Sequence, residues 1–197
     1  TSGAIYIDSD GAVNLVGNLV TTGVANTTGG TGAAGGEVTI DTTGAATISI
    51  SDITTTGGAS KATGGMGGAA GEITLNTNTG VITLNSSTIT AAGGAGDAQQ
   101  GAGASITFSD AVVLAGGAAK IDTGATVGDI TFKSTVDSED DGAGASAQRA
   151  LTLTAGTGNI DFDGVVGGAD KGELGAITIE SAKNVTADFA VSAASLR

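Results

Sequence analysis

Short runs in which apolar and polar residues alternate recur along the whole chain. They open at Ile5, Val38, Ile73, Ile106, Ile130, Leu151 and Ile177, and several share one shape: Val38-Thr39-Ile40-Asp41, Ile73-Thr74-Leu75-Asn76, Ile106-Thr107-Phe108-Ser109, Ile130-Thr131-Phe132-Lys133. A period of two residues is that of a strand with one buried face. Recurrence at intervals of about 20 to 35 residues predicts stacked units, none of which buries its apolar face alone.

Aligning the longer units divides each into three strands and one loop. The first strands carry Ile5 and Ile7, Val38 and Ile40, Ile73 and Leu75, then Ile106 and Phe108; the second carry Val13 and Leu15, Ile48 and Ile50, Ile82 and Leu84; the third carry Leu19, Ile53 and Ile89. Three short strands separated by turns suit a coil whose flat sides stack on the next, with equivalent apolar residues piled through the interior of a parallel β-helix. About seven such coils are expected, about 4.8 Å apart. The Gly/Ala-rich segments 21–36, 54–71 and 91–104 fall at one corner as long loops. They are expected either as mobile connectors or as a fin, backbone packed on backbone, because Gly permits close approach. The chain divides into long-coil repeats over 1–104 and shorter repeats over 105–197, continuous in one solenoid. A two-sheet sandwich is the competing architecture, but it explains the repetition less well.

Composition reinforces the strand reading. The chain has 36 Gly and no Pro, Cys, Trp or His; Pro, which removes a ladder donor, would be excluded from strands paired on both sides. The residues most used for metal binding, thiol chemistry and imidazole catalysis are thereby missing as well. A net charge of −13 with seven basic residues argues against nucleic acid or an anionic membrane surface as partner, and no apolar run is long enough to insert in a membrane as a helix. The opening Thr1-Ser2-Gly3-Ala4 has neither an initiator Met nor a basic segment ahead of an apolar one, and reads as a processed or excised start.

Past Ser105 the units shorten, and Ile130–Val136, Ala150–Gly168, Leu174–Ile179 and Ala182–Ala187 with Val191–Leu196 resemble the tandem repeats of large bacterial surface adhesins of the filamentous-haemagglutinin-like and autotransporter type. The Gly/Thr-rich units before Ser105 extend the resemblance over essentially the whole chain. It implies a right-handed parallel β-helix, secreted to the bacterial cell surface, that serves as a stalk or fibre, with itself or a cell-surface target as partner. It names no target and carries no site residues with it.

Several local patterns approach the spacing of chemical sites. Asn159, Asp161 and Asp163 alternate, with Asp170 twelfth from Asn159, a spacing that resembles a calcium loop but lacks its bidentate Glu. A strand with Ile160 and Phe162 inward places these residues outward without any ion. Gly93–Asp97 approaches a calcium-binding nonapeptide, with its Asp one place early. The pairs Asp161/Asp163 and Asp8/Asp10 and the run Glu139-Asp140-Asp141 could supply an acid and a base, but a glycosidase needs one carboxyl desolvated, and these sit among Gly, Ser and Ala. No catalytic, cofactor-binding or metal-ligating residue is therefore assigned, no cofactor is expected, and the chain is expected not to be an enzyme.

A ladder of Thr39, Thr74, Thr107, Thr131, Thr152 and Thr178 is expected down one outer face. Regular Thr arrays of this kind make an ice-binding β-helix a minor reading, weakened by the charged neighbours Glu37, Asp41 and Glu72. The favoured reading is a structural and adhesive segment of an extracellular fibre, elongated and self-associating; the alternative is a glycan- or protein-binding module acting through the corner loops. Neither terminal coil shows an amphipathic helix, Pro or charged cap, which predicts a slice of a longer solenoid or a subunit that stacks end to end.

Overall fold

The computed structural model describes residues 2–143 and 145–197; Thr1, on which the reading of the start partly rests, lies outside them. Every named element is a strand. The chain visits three sheets in turn, first with β1 (Ile5–Ser9), β2 (Val13–Leu15) and β3 (Leu19–Val20), next with β4 (Val38–Thr42), β5 (Ile48–Ile50) and β6 (Ile53–Thr54). It continues with β7 (Ile73–Asn76), β8 (Val81–Asn85) and β9 (Thr88–Thr90), then β10 (Ile106–Phe108), β11 (Ala111–Ala115) and β12 (Ala119–Asp122). There follow β13 (Ile130–Phe132), β14 (Val136–Ser138) and β15 (Leu151–Thr154), then β16 (Asn159–Phe162) and β17 (Leu174–Ser181), and finally β18 (Asn184–Ala187) and β19 (Ala193–Leu196).

All pairings between these strands are parallel. The first sheet is β1-β4-β7-β10-β13-β16-β18, the second β2-β5-β8-β11-β14, and the third β3-β6-β9-β12-β15-β17-β19. Single parallel bridges from Val136 to Val166 and from Val166 to Val191 carry the second sheet through the last two passes. The protein is thus all-β, with three parallel sheets, an arrangement consistent with a solenoid and inconsistent with a sandwich of antiparallel strands. The sheets run on from β7–β9 into β10–β12 without a break.

Register follows the apolar pattern because a slip of one residue would turn each inward side chain outward. In the first sheet Ile7, Ile40, Leu75, Phe108, Phe132 and Phe162 lie in one column. Phe108 and Phe132 stack with ring centroids 4.8 Å apart, and Phe132 and Phe162 at 5.1 Å, close to the interstrand spacing of about 4.8 Å. The second sheet aligns Val13, Ile48, Ile82, Val112 and Val136. The third aligns Leu19, Ile53, Ile89, Ile121 and Leu153. These side chains form one continuous core. Its ends are less covered: Ile5, Ile7 and Leu15 are half-buried, and Val185 and Leu196 are exposed.

One expectation is overturned. Leu151–Thr154 and Ile177–Glu180 are not later copies of the first strand: β15 and β17 belong to the third sheet, while the first sheet is continued by β16 and β18. Thr152 and Thr178 therefore leave the proposed ladder and continue the column of Lys120, with Thr152 beside Lys120 and Thr178 beside Thr152. Thr39, Thr74, Thr107 and Thr131 are in register as expected, and Asp161 takes the next place. The apolar-Thr-apolar pattern reports a strand with one face inward, and it is silent on which side of the stack that strand occupies.

Candidate functional surface

At the corner between the third and first sheets, the Gly-rich segments form a plate. Each runs outward from the third sheet and returns to the first, and backbone hydrogen bonds join the two arms. In the first segment Ala33 N–H donates to Val24 O and Gly36 N–H to Thr21 O; in the second, Gly68 to Gly58 and Gly71 to Thr55; in the third, Gly101 to Gly94 and Ala104 to Ala91. Neighbouring segments are bonded as well: Gly23 to Thr56 and Asn26 to Ala59, then Gly57 to Ala92 and Ser60 to Ala95 along the outgoing arms. The returning arms repeat the arrangement, Gly32 to Met66 and Gly35 to Ala69, then Gly67 to Gln99 and Ala70 to Ala102.

Donors in every set recur at every third residue, the period of a polyproline II helix, which bonds only with its neighbours. The fin expectation is therefore met and the mobile-connector alternative is not. Glycine is what allows it. A Cβ on Gly58 would lie 2.2 Å from Val24 O, and one on Gly68 2.1 Å from Ala33 O, both backbone atoms that cannot swing away. At the base of the plate the buried Thr21 hydroxyl donates to Gly36 O and that of Thr55 to Gly71 O, and Thr123 repeats the bond to Gly128 O at 2.9 Å. These bonds close the first two plate segments and the short 123–129 corner where they leave the core, whereas the third plate segment starts at Ala91 and is closed there by the Ala104 N–H to Ala91 O bond alone.

The two plate faces differ. The outgoing arms continue the third sheet and present Thr22, Ala25, Thr56, Ala59, Ala92 and Ala95; the returning arms lead into the first sheet, where Glu37, Asp41 and Glu72 stand. Tyr6 is 66% exposed on that acidic side, and its hydroxyl donates to Asp41 Oδ2 at 3.2 Å. This hydrogen bond, with the carboxylate charge behind it, raises the phenol above its ordinary pKa. A second exposed aromatic, Phe189 at 58%, lies outside the strands and gave no periodic signal in the sequence.

The acidic patterns are tied to neighbouring passes. Asn159 donates its N–H and Nδ2 to Asp129 Oδ1 at 2.7 and 3.2 Å and accepts from Asn184 Nδ2 at 2.9 Å, forming a ladder across three passes. Its Oδ1 is thus already taken by a donor. Asp97 accepts from Gly64 N–H at 2.8 Å and so joins two plate tips. Asp10 accepts from the Thr43 hydroxyl at 3.1 Å. Among the described residues no three acidic side chains gather as a metal cluster would.

Glu139, Asp140 and Asp141 belong to an excursion that sequence reasoning left without basic partners. Arg149 donates to Glu139 Oε1 through Nε at 2.8 Å and through a terminal nitrogen, while Gly116 N–H adds a bond at 2.9 Å. The guanidinium, then the amide, hold the Glu139 carboxyl below its ordinary value. Asp140 is lowered first by Gly142 N–H and then by Lys171, whose Nζ is 3.1 Å away. Asp141 accepts from Ala143 and Ala145 N–H at 2.7 and 3.0 Å. Glu139 and Asp140 are held in their charged forms, the opposite of the raised pKa that a general acid requires. Set against known proteins, the chain matches no family model, no curated protein and no solved structure.

Proposed function

We propose that the protein is a right-handed parallel β-helix of about seven coils, serving as a structural and adhesive segment of an extracellular fibre or stalk on a bacterial surface. The observation that carries this reading is the register: strands of three sheets stack parallel on their counterparts in the passes before and after, as repeated coils would. Right-handedness follows from the near-universal hand of crossovers between parallel strands. A solenoid of this type spans distance with little chemistry, since each unit contacts only its neighbours. The partnered carboxylates suit that role better than an acid and base poised in a cleft. Partners are then other copies of the chain or a cell-surface target, and adhesion is the activity to assay.

The test is to image purified protein by negative-stain electron microscopy and to measure its sedimentation over a wide concentration range. Elongated particles that associate as concentration rises are expected. A compact particle that stays monomeric throughout would overturn the fibre reading.

A further inference from the structure

The bonds that hold one plate segment on the next obey a simple rule: each donor stands one residue after the acceptor at the equivalent place. Thr56 O accepts from Gly23 N–H, and Gly57 N–H donates to Ala92 O; Ala59 O accepts from Asn26, and Ser60 donates to Ala95 O. On the returning arms Met66 O accepts from Gly32 and Gly67 donates to Gln99 O, while Ala69 O accepts from Gly35 and Ala70 donates to Ala102 O. Carried one step further, the rule makes Gly93, Gly96, Gln100 and Gly103 the donors of the third segment. They point toward a fourth segment that the chain does not supply, because the next corner is turned by residues 123–129 alone, whereas the first three passes use 21–37, 55–72 and 91–105.

One of these donors is met from the short corner. Thr126 accepts from Gly103 N–H at 2.8 Å and donates to Gly101 O at 3.0 Å, so at the base of the plate a single hydroxyl takes the place of backbone groups of the missing segment. The N–H groups of Gly93, Gly96 and Gln100 have no partner among the described residues. Gly93 is also buried, and buried backbone donors are seldom left orphaned. The Gln100 side chain reaches Gly93 O only at 3.5 Å and meets neither free donor of the outgoing arm.

The plate itself shows what fits there. A second set of bonds links the arms alternately: Gly58 N–H donates to Ala33 O, Gly68 to Gly58 O, Gly94 to Gly68 O and Gly101 to Gly94 O. Outgoing and returning arms therefore alternate along the stack, and the vacant place beyond the third returning arm is that of an outgoing arm. In the two passes before, that place is filled by a polyproline II segment whose carbonyls, three residues apart, cover the paired donors: Thr56 and Ala59 over Gly23 and Asn26, then Ala92 and Ala95 over Gly57 and Ser60. Gly93 and Gly96 have the same separation, one turn or about 9 Å. Glycine holds the inward position of the occupying arm, Gly58 and then Gly94, and a Cβ on Gly94 would lie 2.1 Å from Gly58 O.

We infer that this open edge docks a glycine-rich segment of another protein in the polyproline II conformation, which lies along the third outgoing arm and accepts the N–H groups of Gly93 and Gly96. The mode is that of strand addition to a sheet edge, with main-chain bonds giving affinity; here the close approach of backbones, which only glycine permits, selects the partner. The donors are preorganised, since the third segment is bonded to the second along both arms, and a preformed edge loses little entropy on binding. The inference does not rest on the fibre reading, because the edge lies within the stack at the third pass and is present in a single chain.

The experiment measures amide hydrogen exchange by NMR on the wild-type protein alone, with a terminally blocked peptide of Gly-Gly-Ala repeats, and with an equally long glycine-free peptide of Ala and Ser. In the protein alone Gly93, Gly96 and Gln100 are expected to exchange about tenfold or more faster than Gly57, Ser60 and Gly67, their bonded counterparts. The glycine-rich peptide should slow Gly93 and Gly96 by about fivefold once its concentration is about four times its Kd, because protection grows as one plus the ratio of ligand to Kd, and the glycine-free peptide should leave them unchanged. Exchange of the three amides as slow as that of their counterparts in the protein alone would show that the edge is not open, and would overturn the inference. So would an absence of protection at millimolar glycine-rich peptide, or equal protection by the glycine-free one. Protection of Gly93 and Gly96 that rises with protein concentration in the absence of peptide assigns the edge to a second copy and overturns it too.

Discussion

Replacing Gly68 by Ala tests whether the plate is a hydrogen-bonded body. The new methyl carbon would sit 2.1 Å from Ala33 O and 2.6 Å from Ala33 C, where ordinary contact requires about 3.5 Å, so the two arms must separate by roughly 1 Å or more. Three bonds depend on that spacing: Gly68 N–H to Gly58 O at 2.8 Å, Gly94 N–H to Gly68 O at 2.8 Å and Gly58 N–H to Ala33 O at 2.7 Å. At about 0.5–1.5 kcal/mol each, their loss amounts to about 1.5–4.5 kcal/mol, confined to the plate because no core side chain moves. Native-state hydrogen exchange reads this directly. The amides of Gly58, Gly68, Gly94 and Gly101 should exchange about one to three orders of magnitude faster, while that of Val112, bonded to Thr135 O in the second sheet, keeps its protection. Gly11→Ala is the control, since a Cβ there meets nothing within 4 Å. If Gly68→Ala exchanges like Gly11→Ala, the arms are not packed as described, and the reasoning from backbone contact to plate stability fails.

Leu84→Lys should lower stability by about 4 kcal/mol or more, placing an ammonium between Ile50 and Leu114 in the core, whereas Thr74→Lys on the outer face should lie within about 0.5 kcal/mol of wild type; equal melting temperatures would refute the assigned facing. Thr55→Val should cost about 1–3 kcal/mol, because the buried Gly71 carbonyl loses its hydroxyl donor, and a neutral result in denaturant titration would remove the closing role of that hydroxyl. The Glu139 carboxyl is lowered in the folded state, so its contribution is fully present above its ordinary value near 4.5 and is lost as pH falls through the lower folded value. Exchange at Ala147, whose N–H donates to Glu139 O, should therefore accelerate on acidification in wild type and much less so in Arg149→Met. A strong calcium chelator should leave the melting temperature unchanged, since Asn159 is held by Asp129 and Asn184; a large drop would show that a native-state ion contributes stability by mass action.

Where burial dictates the residue, the fold was legible from sequence. The columns through Ile40, Leu75 and Phe108, through Ile48 and Ile82, and through Ile53 and Ile89 follow from alternation and period alone, because each inward position must be apolar and its neighbours need not be. Assignment of strands to sheets was legible only while the period stayed near 34 residues. After Ser105 the corner connections shorten and β16 opens with Asn159, so the third-sheet run of the unit passes for the first. The Arg149–Glu139 pair was invisible because its members stand ten positions apart between strands, where no periodicity constrains the sequence. The open edge of the plate was missed for a different reason. The donors of Gly93, Gly96 and Gln100 are left free by the shortness of the next corner, and no side chain of the third segment records that.

Core and plate are stabilised by different physics, and this sets the order in which they can open. The core buries Ile, Val, Leu and Phe, whose removal from water contributes about 25 cal/mol per Å². The plate buries mainly backbone, and its hydrogen bonds contribute a modest net amount against the large ordering cost of glycine. Such a plate would not form alone. It forms here because the ends of each arm are held at strand spacing by the rungs beneath, with Val20, Thr54 and Thr90 leading into it and Val38, Ile73 and Ile106 leading out, so that loop closure and register are already determined before the first glycine. Opening the plate therefore leaves the core intact, whereas opening the core releases the plate. Any function on the plate's surface depends on the stacked strands for its rigidity, even though none of its contact residues lies among the buried columns.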